Sequence, residues 1–412
     1  MTMTSASTAM PQQPRSDPET VAVSLSRFVL YFLRLGATGF GGPIALAGYM
    51  QRTLVEERRW ISRDDYLDGL ALAQLAPGPL AAQLAMYLGY VRGGVRGATL
   101  VAFAFIAPSL LMVWALSVVY VRFGGLPWMQ AVFYGVGAAV IGIIARSAVK
   151  LMRLTLADRP LRWMIFLVLA IATAWTEREI VWLFFAAGLV PLLLTVRVRR
   201  PQTAAAFVPL APLAPLAPLA MSTVSVPGAA TATAASTAPA SSWSLLWFFT
   251  KAGAFVFGSG LAIVPFLYGG VVREHHWLTD RQFLDAVAVA MITPGPVVIT
   301  VAFIGYLVAG ATGLMAAAVG VFLPVYLFVI VPAPYVRRCR DQPQIKAFVE
   351  GVTAAATGAI AGAAIVLARR AWVDGWTLAI GLIVLIVLSR WKVSELWLIG
   401  GAAIAGLALH RM

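Results

Sequence analysis

Ser62-Arg-Asp-Asp65-Tyr-Leu-Asp68-Gly-Leu-Ala-Leu-Ala-Gln74-Leu-Ala-Pro77-Gly78-Pro79 begins on a hydroxyl, turns apolar and stops at a double proline. It returns 217 residues later as Thr279-Asp-Arg-Gln282-Phe-Leu-Asp285-Ala-Val-Ala-Val-Ala-Met291-Ile-Thr293-Pro294-Gly295-Pro296. Ser62-x-x-Asp65 and Thr279-x-x-Gln282 both fit a capping box, in which the hydroxyl covers free backbone amides at a helix start. A helix from cap to proline rises roughly 20 Å, short of the roughly 30 Å hydrocarbon core of a bilayer. The pattern therefore predicts a half-crossing that turns at Pro-Gly-Pro.

The same offset extends outward from this stretch. Phe32, Arg34 and Gly36 return as Phe249, Lys251 and Gly253, Phe40-Gly41 as Phe257-Gly258, and Trp60 as Trp277. After Pro79 the offset becomes 216, aligning Gly89-Tyr90 with Gly305-Tyr306, Gly94 with Gly310, Pro108 with Pro324 and Gly135-Val136 with Gly351-Val352. The chain is two versions of one unit, and paired repeats with broken apolar segments are how many secondary transporters build a central site.

Composition supplies the solvent for that unit. Hydrophobic residues make up 60% of the chain and charged residues 12%, where a soluble domain carries roughly a quarter charged. Runs such as Ala98 to Val121 hold no ionisable acid or base, so they suit hydrocarbon as helices. The net charge of +14 sits in short loops, among them Arg58-Arg59, Arg199-Arg200 and Arg337-Arg338. That distribution sets orientation in a membrane and argues against nucleic acid as a partner. One cysteine, Cys339, excludes an internal disulfide, and three histidines give no metal cage, so neither a metal nor a cofactor is expected. The polar first residues show no cleaved signal, and the first helix is expected to serve as its own insertion signal.

Residues 1–26 form a polar tail, 27–196 a first repeat, 197–242 a linker and 243–412 a second repeat. The linker carries Arg197, Arg199 and Arg200, then Pro-Leu-Ala repeated through 209–220, a pattern that blocks helix and favours an extended spacer. Arginine-rich loops of the first repeat (51–63, 92–97, 146–162) face poorer partners in the second, and the bias reverses at 337–346 and 390–392. The fold expected is an all-α polytopic membrane protein of two inverted-topology repeats, each with about five transmembrane helices and a re-entrant Pro-Gly-Pro hairpin. With a linker that does not cross, this count puts both termini outside the cytoplasm.

The candidate substrate site lies at the breaks. Gly41-Gly42-Pro43 and Gly258-Ser259-Gly260 weaken apolar helices and expose amides, and a helix start favours an anion. Close packing through small residues is the competing explanation. Pro77-Gly78-Pro79 and Pro294-Gly295-Pro296 end one helix and begin another, with Gln74, Gln83, Thr293 and Thr300 as nearby polar side chains. Arg34 shares a face with Thr38 and Gly41, and Lys251 is its equivalent. Intramembrane cations read as functional, with snorkelling to the interface as the alternative. Asp68 and Asp285 are proton-coupling candidates, although an acid near a helix start also suits the dipole.

Gly39-Phe40-Gly41-Gly42-Pro43, Glu56-Glu57-Arg58-Arg59-Trp60, Ala71-Leu-Ala-Gln74-Leu-Ala-Pro77-Gly78-Pro79 and Gly89-Tyr90 closely resemble the chromate ion transporter family in its long, two-domain form. The resemblance spans about residues 27 to 412 without the linker. It implies a multi-pass protein of a bacterial inner membrane that exports chromate, confers chromate resistance and draws on the proton motive force, with chromate held between the repeats. The second copy departs from the pattern at Ser259-Gly260 and Met291, which points to unequal halves. A transporter of sulfate or another oxyanion and an anion channel stay open as alternatives, as does a homodimer. An enzyme would need a clustered acid, base or metal, and the apolar segments hold none.

Overall fold

The computed structural model describes residues 20–40, 42–123, 126–156, 159–177, 181–198, 241–255, 263–336, 342–391 and 393–409. The linker residues 199–240 lie outside that set, as do Gly41, Gly258, Ser259 and Gly260. Among the described residues every regular element is helical. The first half runs α1 Leu25–Thr38, α2 Gly42–Met50, α3 Arg63–Leu75, α4 Leu80–Phe123, α5 Pro127–Thr155, α6 Pro160–Thr176 and α7 Val181–Val198. The second repeats the series as α8 Ser242–Phe255, α9 Ile263–Leu267, α10 Asp280–Ile292, α11 Thr300–Ile330, α12 Pro343–Ala371, α13 Gly375–Arg390 and α14 Glu395–Leu409.

The duplication reaches the backbone angles. A π-helical turn follows α2 at Gln51–Glu57 and α9 at Tyr268–Glu274. Left-handed residues then occur in pairs at the predicted offsets: Arg59 with His276, Gly78 with Gly295, and Gly94 with Gly310. The second capping box forms in full, while at Ser62 only the hydroxyl half of the first one does. Ser62 Oγ accepts from the Asp65 amide at 3.0 Å, and Thr279 and Gln282 cap each other reciprocally.

Each half folds its first helices back on themselves. Gly93 and Gly94 interrupt α4, and Ala309 and Gly310 interrupt α11, with φ near 60° at Gly94 and Gly310. In a straight helix Gly89 and Gly97 would stand roughly 12 Å apart. Here a Cβ on Gly97 would lie 2.1 Å from the Gly89 carbonyl oxygen, so the chain reverses at the break. Helix α3 and the part of α4 before Gly93 thus form a hairpin with Pro-Gly-Pro at its tip.

The start of the unit departs from the expected five crossings. The Val21 amide donates to the Arg59 carbonyl at 2.8 Å, and Arg92 Nη2 donates to the Val23 carbonyl at 2.8 Å. The segment 21–59, read as one broken crossing, therefore returns to the end where it began. Among the described residues four helices are long and apolar enough to span a membrane: α4, α5, α11 and α12. Helices α6, α7, α13 and α14 are shorter and apolar, so each half contributes two long and two short candidates.

The halves interlock. Helix α5 packs against α13 and α14 of the second half, α12 packs against α6 and α7 of the first, and α4 pairs with α11. Small residues permit this. A Cβ on Gly135 would stand 1.9 Å from the Ala402 carbonyl oxygen, and one on equivalent Gly351 would stand 2.0 Å from that of Ala187. In lipid, where apolar side chains gain little by leaving solvent, such backbone approach is what holds helices together. Thr99 and Tyr326 add a 2.6 Å hydroxyl contact between α4 and α11.

Candidate functional site

The motifs singled out in the two halves meet across the repeat boundary. Helix α1 ends at Gly39, beside the part of α4 beyond Gly94; a Cβ on Gly36 would stand 2.3 Å from the Phe105 carbonyl oxygen. Against this end sits the second Pro-Gly-Pro turn. The Gly295 amide donates to the Gly39 carbonyl at 2.9 Å, and Ser109 Oγ donates to the Pro294 carbonyl at 2.7 Å. Ser109 lies fourteen residues beyond Val95, or roughly 21 Å along this part of α4. The end of α1 and the turn after α10 therefore form one contact well inside this part of α4.

The first Pro-Gly-Pro turn is held differently. Gln83 Nε2 donates to the Pro77 carbonyl at 2.6 Å, and Gly78 faces Val325, which stands where the other half has Ser109. Gln83 is fully buried, and its Oε1 has no hydrogen-bond partner among the described residues. An unpaired acceptor in an apolar interior is costly, so this tip retains unused polar capacity. The second tip has spent its Gly295 amide and Pro294 carbonyl on the opposite repeat.

Several expected ligands are occupied locally. Thr38 Oγ1 donates to the Arg34 carbonyl at 2.8 Å, Thr293 Oγ1 to Ala290 at 3.1 Å and Thr300 Oγ1 to Val297 at 2.7 Å. Gly42 and Pro43 open α2. Arg34 and Lys251 point outward from α1 and α8, away from the buried stripe of Phe28, Phe32, Leu35 and Gly36; Lys251 lies over the Trp247 ring at 5.6 Å. No described contact brings either cation to a tip.

The two short helices differ in burial. In α10 every residue from Phe283 to Met291 is buried, whereas α3 exposes Leu67 and Gln74. Leu67 is 44% exposed and its equivalent Leu284 8%. Both candidate carboxylates are buried, Asp68 at 0% and Asp285 at 5% exposure. Tyr120, at the far end of α4, donates to Asp285 Oδ2 at 2.7 Å and packs its ring against Phe133 and Phe303. Ser109 and Tyr120 were not read from the sequence. Ser109 had a signal of sorts, a hydroxyl directly after Pro108 in an apolar run, whereas Tyr120 had none.

The profile described as chromate transporter matches residues 26–192 and again 243–407. A chromate transport protein of Cupriavidus metallidurans is 56% identical over 399 residues, 94% of each chain. A probable chromate transport protein of Synechococcus elongatus is 54% identical over 393 residues, 94% of this chain and 96% of that one. A chromate transport protein of Pseudomonas aeruginosa is 33% identical over 343 residues, 82% of this chain and 80% of its own. No solved structure matches.

Proposed function

We propose that this chain, which belongs to the chromate transporter family, carries chromate outward across a bacterial inner membrane as a secondary transporter. The observation that carries the reading is the cross-repeat contact of Gly295 with Gly39 and of Ser109 with Pro294. There the end of α1 meets the second Pro-Gly-Pro tip from the opposite repeat, and a site between the repeats can open to either side by changing which tip is engaged. Chromate, a dianion, binds between the tips. Gln83, the residues of the first Pro-Gly-Pro turn and the amides beyond the Gly42-Pro43 break supply its polar contacts. Arg34 and Lys251 act from the outward faces of α1 and α8 as attracting charges.

The repeats stand inverted in this reading. The arginine-rich end with Arg58, Arg59, Arg92 and Arg96 is cytoplasmic by the positive-inside bias. Outward movement of a dianion is then downhill in an inside-negative membrane, at roughly 2.3 kcal/mol per charge per 100 mV. Asp285, in contact with Tyr120 across the repeats, is the proton-coupling group. An intramembrane carboxylate is expected to have such a role, and its partner on the opposite repeat links its charge to their relative position.

The test is chromate uptake by everted membrane vesicles with and without this protein, each with and without an uncoupler. Protein-dependent uptake that the uncoupler abolishes is expected, and Arg34→Ala is expected to reduce it at least tenfold. Equal uptake in vesicles lacking the protein would refute the assignment. Normal uptake by Arg34→Ala would remove Arg34 from the site.

A further inference from the structure

A group of charges stands apart from the tips. Glu177 ends α6 with a left-handed backbone, φ 53°, at a position where glycine or asparagine is usual. It has no left-handed counterpart among the described residues of the second half, unlike the other paired positions. Its Oε2 accepts from Arg273 Nη2 and, at 2.8 Å, from Arg370 Nη2. Arg370 Nη1 also donates to Asp280 Oδ1 at 2.8 Å, and Tyr268 donates to the same oxygen at 2.6 Å. Both guanidinium groups face the Tyr268 ring, at 5.8 Å for Arg273 and 5.3 Å for Arg370. Arg273 Nε is buried with no acceptor among the described residues.

Two arginines thus converge on a single oxygen, with a further N–H unused, an arrangement that suits an oxyanion better than one carboxylate. The duplication does not require it. Gln51, Glu56, Arg63 and Leu154 occupy the equivalents of Tyr268, Arg273, Asp280 and Arg370, so the other half has no arginine pair there. Placement ties the group to the docked tip. Arg273 and Asp280 flank the base of α10, whose other end carries the docked Pro-Gly-Pro tip, and Glu177 comes from the opposite repeat. Helix α10 is therefore clamped at base and tip, while α3 stays partly exposed.

We propose that Arg273 and Arg370 form an oxyanion-binding site at this end of the transport path, and that Glu177 is its internal occupant, displaced when an oxyanion passes. The clamp on α10 opens as Glu177 leaves, so arrival of the anion and release of the repeat are one event. The proposal rests on the transport reading but is tested without transport.

Purified full-length protein is titrated with sodium sulfate against sodium chloride of equal ionic strength by isothermal calorimetry. Glu177→Gln is expected to bind sulfate at least tenfold more tightly at one added site, and the gain is expected to vanish in Glu177→Gln/Arg370→Gln. Glu177→Asp, which keeps the charge but shortens its reach, is expected to show an intermediate gain and serves if the glutamine variant fails to fold. Sulfate binding unchanged in both Glu177 variants, or a gain that survives loss of Arg370, would overturn the site. Failure of chromate flux in the unaltered protein faults the transport reading instead, because the titration needs no flux.

Discussion

At the scale of single residues, glycine positions carry the sharpest consequences. Gly295 has φ +101°, and a Cβ there would lie 2.0 Å from Ser109 Oγ. Gly295→Ala is expected to cost about 2–3 kcal/mol from combined strain and displaced contact, read as a lowered Tm of purified protein. Gly94 also has a left-handed φ but open space around it, so Gly94→Ala should cost only about 1–2 kcal/mol. Asp374 caps α13 in the loop after α12, and the Thr377 amide, helped by Tyr134, holds its carboxyl below the usual carboxylate range. A lowered folded pKa means this stabilisation is present at neutral pH and fades as pH falls through the carboxylate range to the folded value. The Tm gap between wild type and Asp374→Asn should therefore be largest near neutrality and close under acid. Prolines and glycines were legible in the sequence because their backbone limits are local. Ser109 was not, because a hydroxyl in an apolar run ordinarily bonds its own helix, as Ser117 does to Val113.

At the scale of elements, the capped short helix was readable from its ends. Ser62 and Thr279 start α3 and α10 as the spacing predicts, and Pro77 and Pro294 follow their last turns. Thr279→Ala should lower stability by about 1 kcal/mol through the lost cap, measurable as a Tm shift with oxyanion binding retained. The hairpin formed by the segment 21–59 was not readable. An apolar stretch interrupted by glycine and proline is equally consistent with a kinked crossing or a reversal. The choice is made by long-range partners, here the Val21 amide on the Arg59 carbonyl and Arg92 on the Val23 carbonyl. Periodicity within one segment carries no information about such partners.

At the scale of the whole molecule, the repeat offset foretold two equivalent units but not their interlocking. That α5 lies against α13 and α14 while α12 lies against α6 and α7 depends on matched glycines hundreds of residues apart. The arrangement also revises the connection between halves. Helix α7 leaves the Glu177 end and passes Gly351, early in α12, whereas Phe248 of α8 packs on His275 and Trp277 near the Arg273 end. Val198 and Ser241 therefore lie toward opposite ends of the body, replacing the expectation that the linker begins and finishes on one side. All of this turns on the inversion of the two halves. Glu57 and Glu274 are equivalent and exposed, so each becomes a single cysteine in a Cys339→Ser background and meets an impermeant maleimide in spheroplasts and in everted vesicles. The account predicts that Glu57→Cys is labelled only in everted vesicles and Glu274→Cys only in spheroplasts; labelling of both from the same side would contradict it.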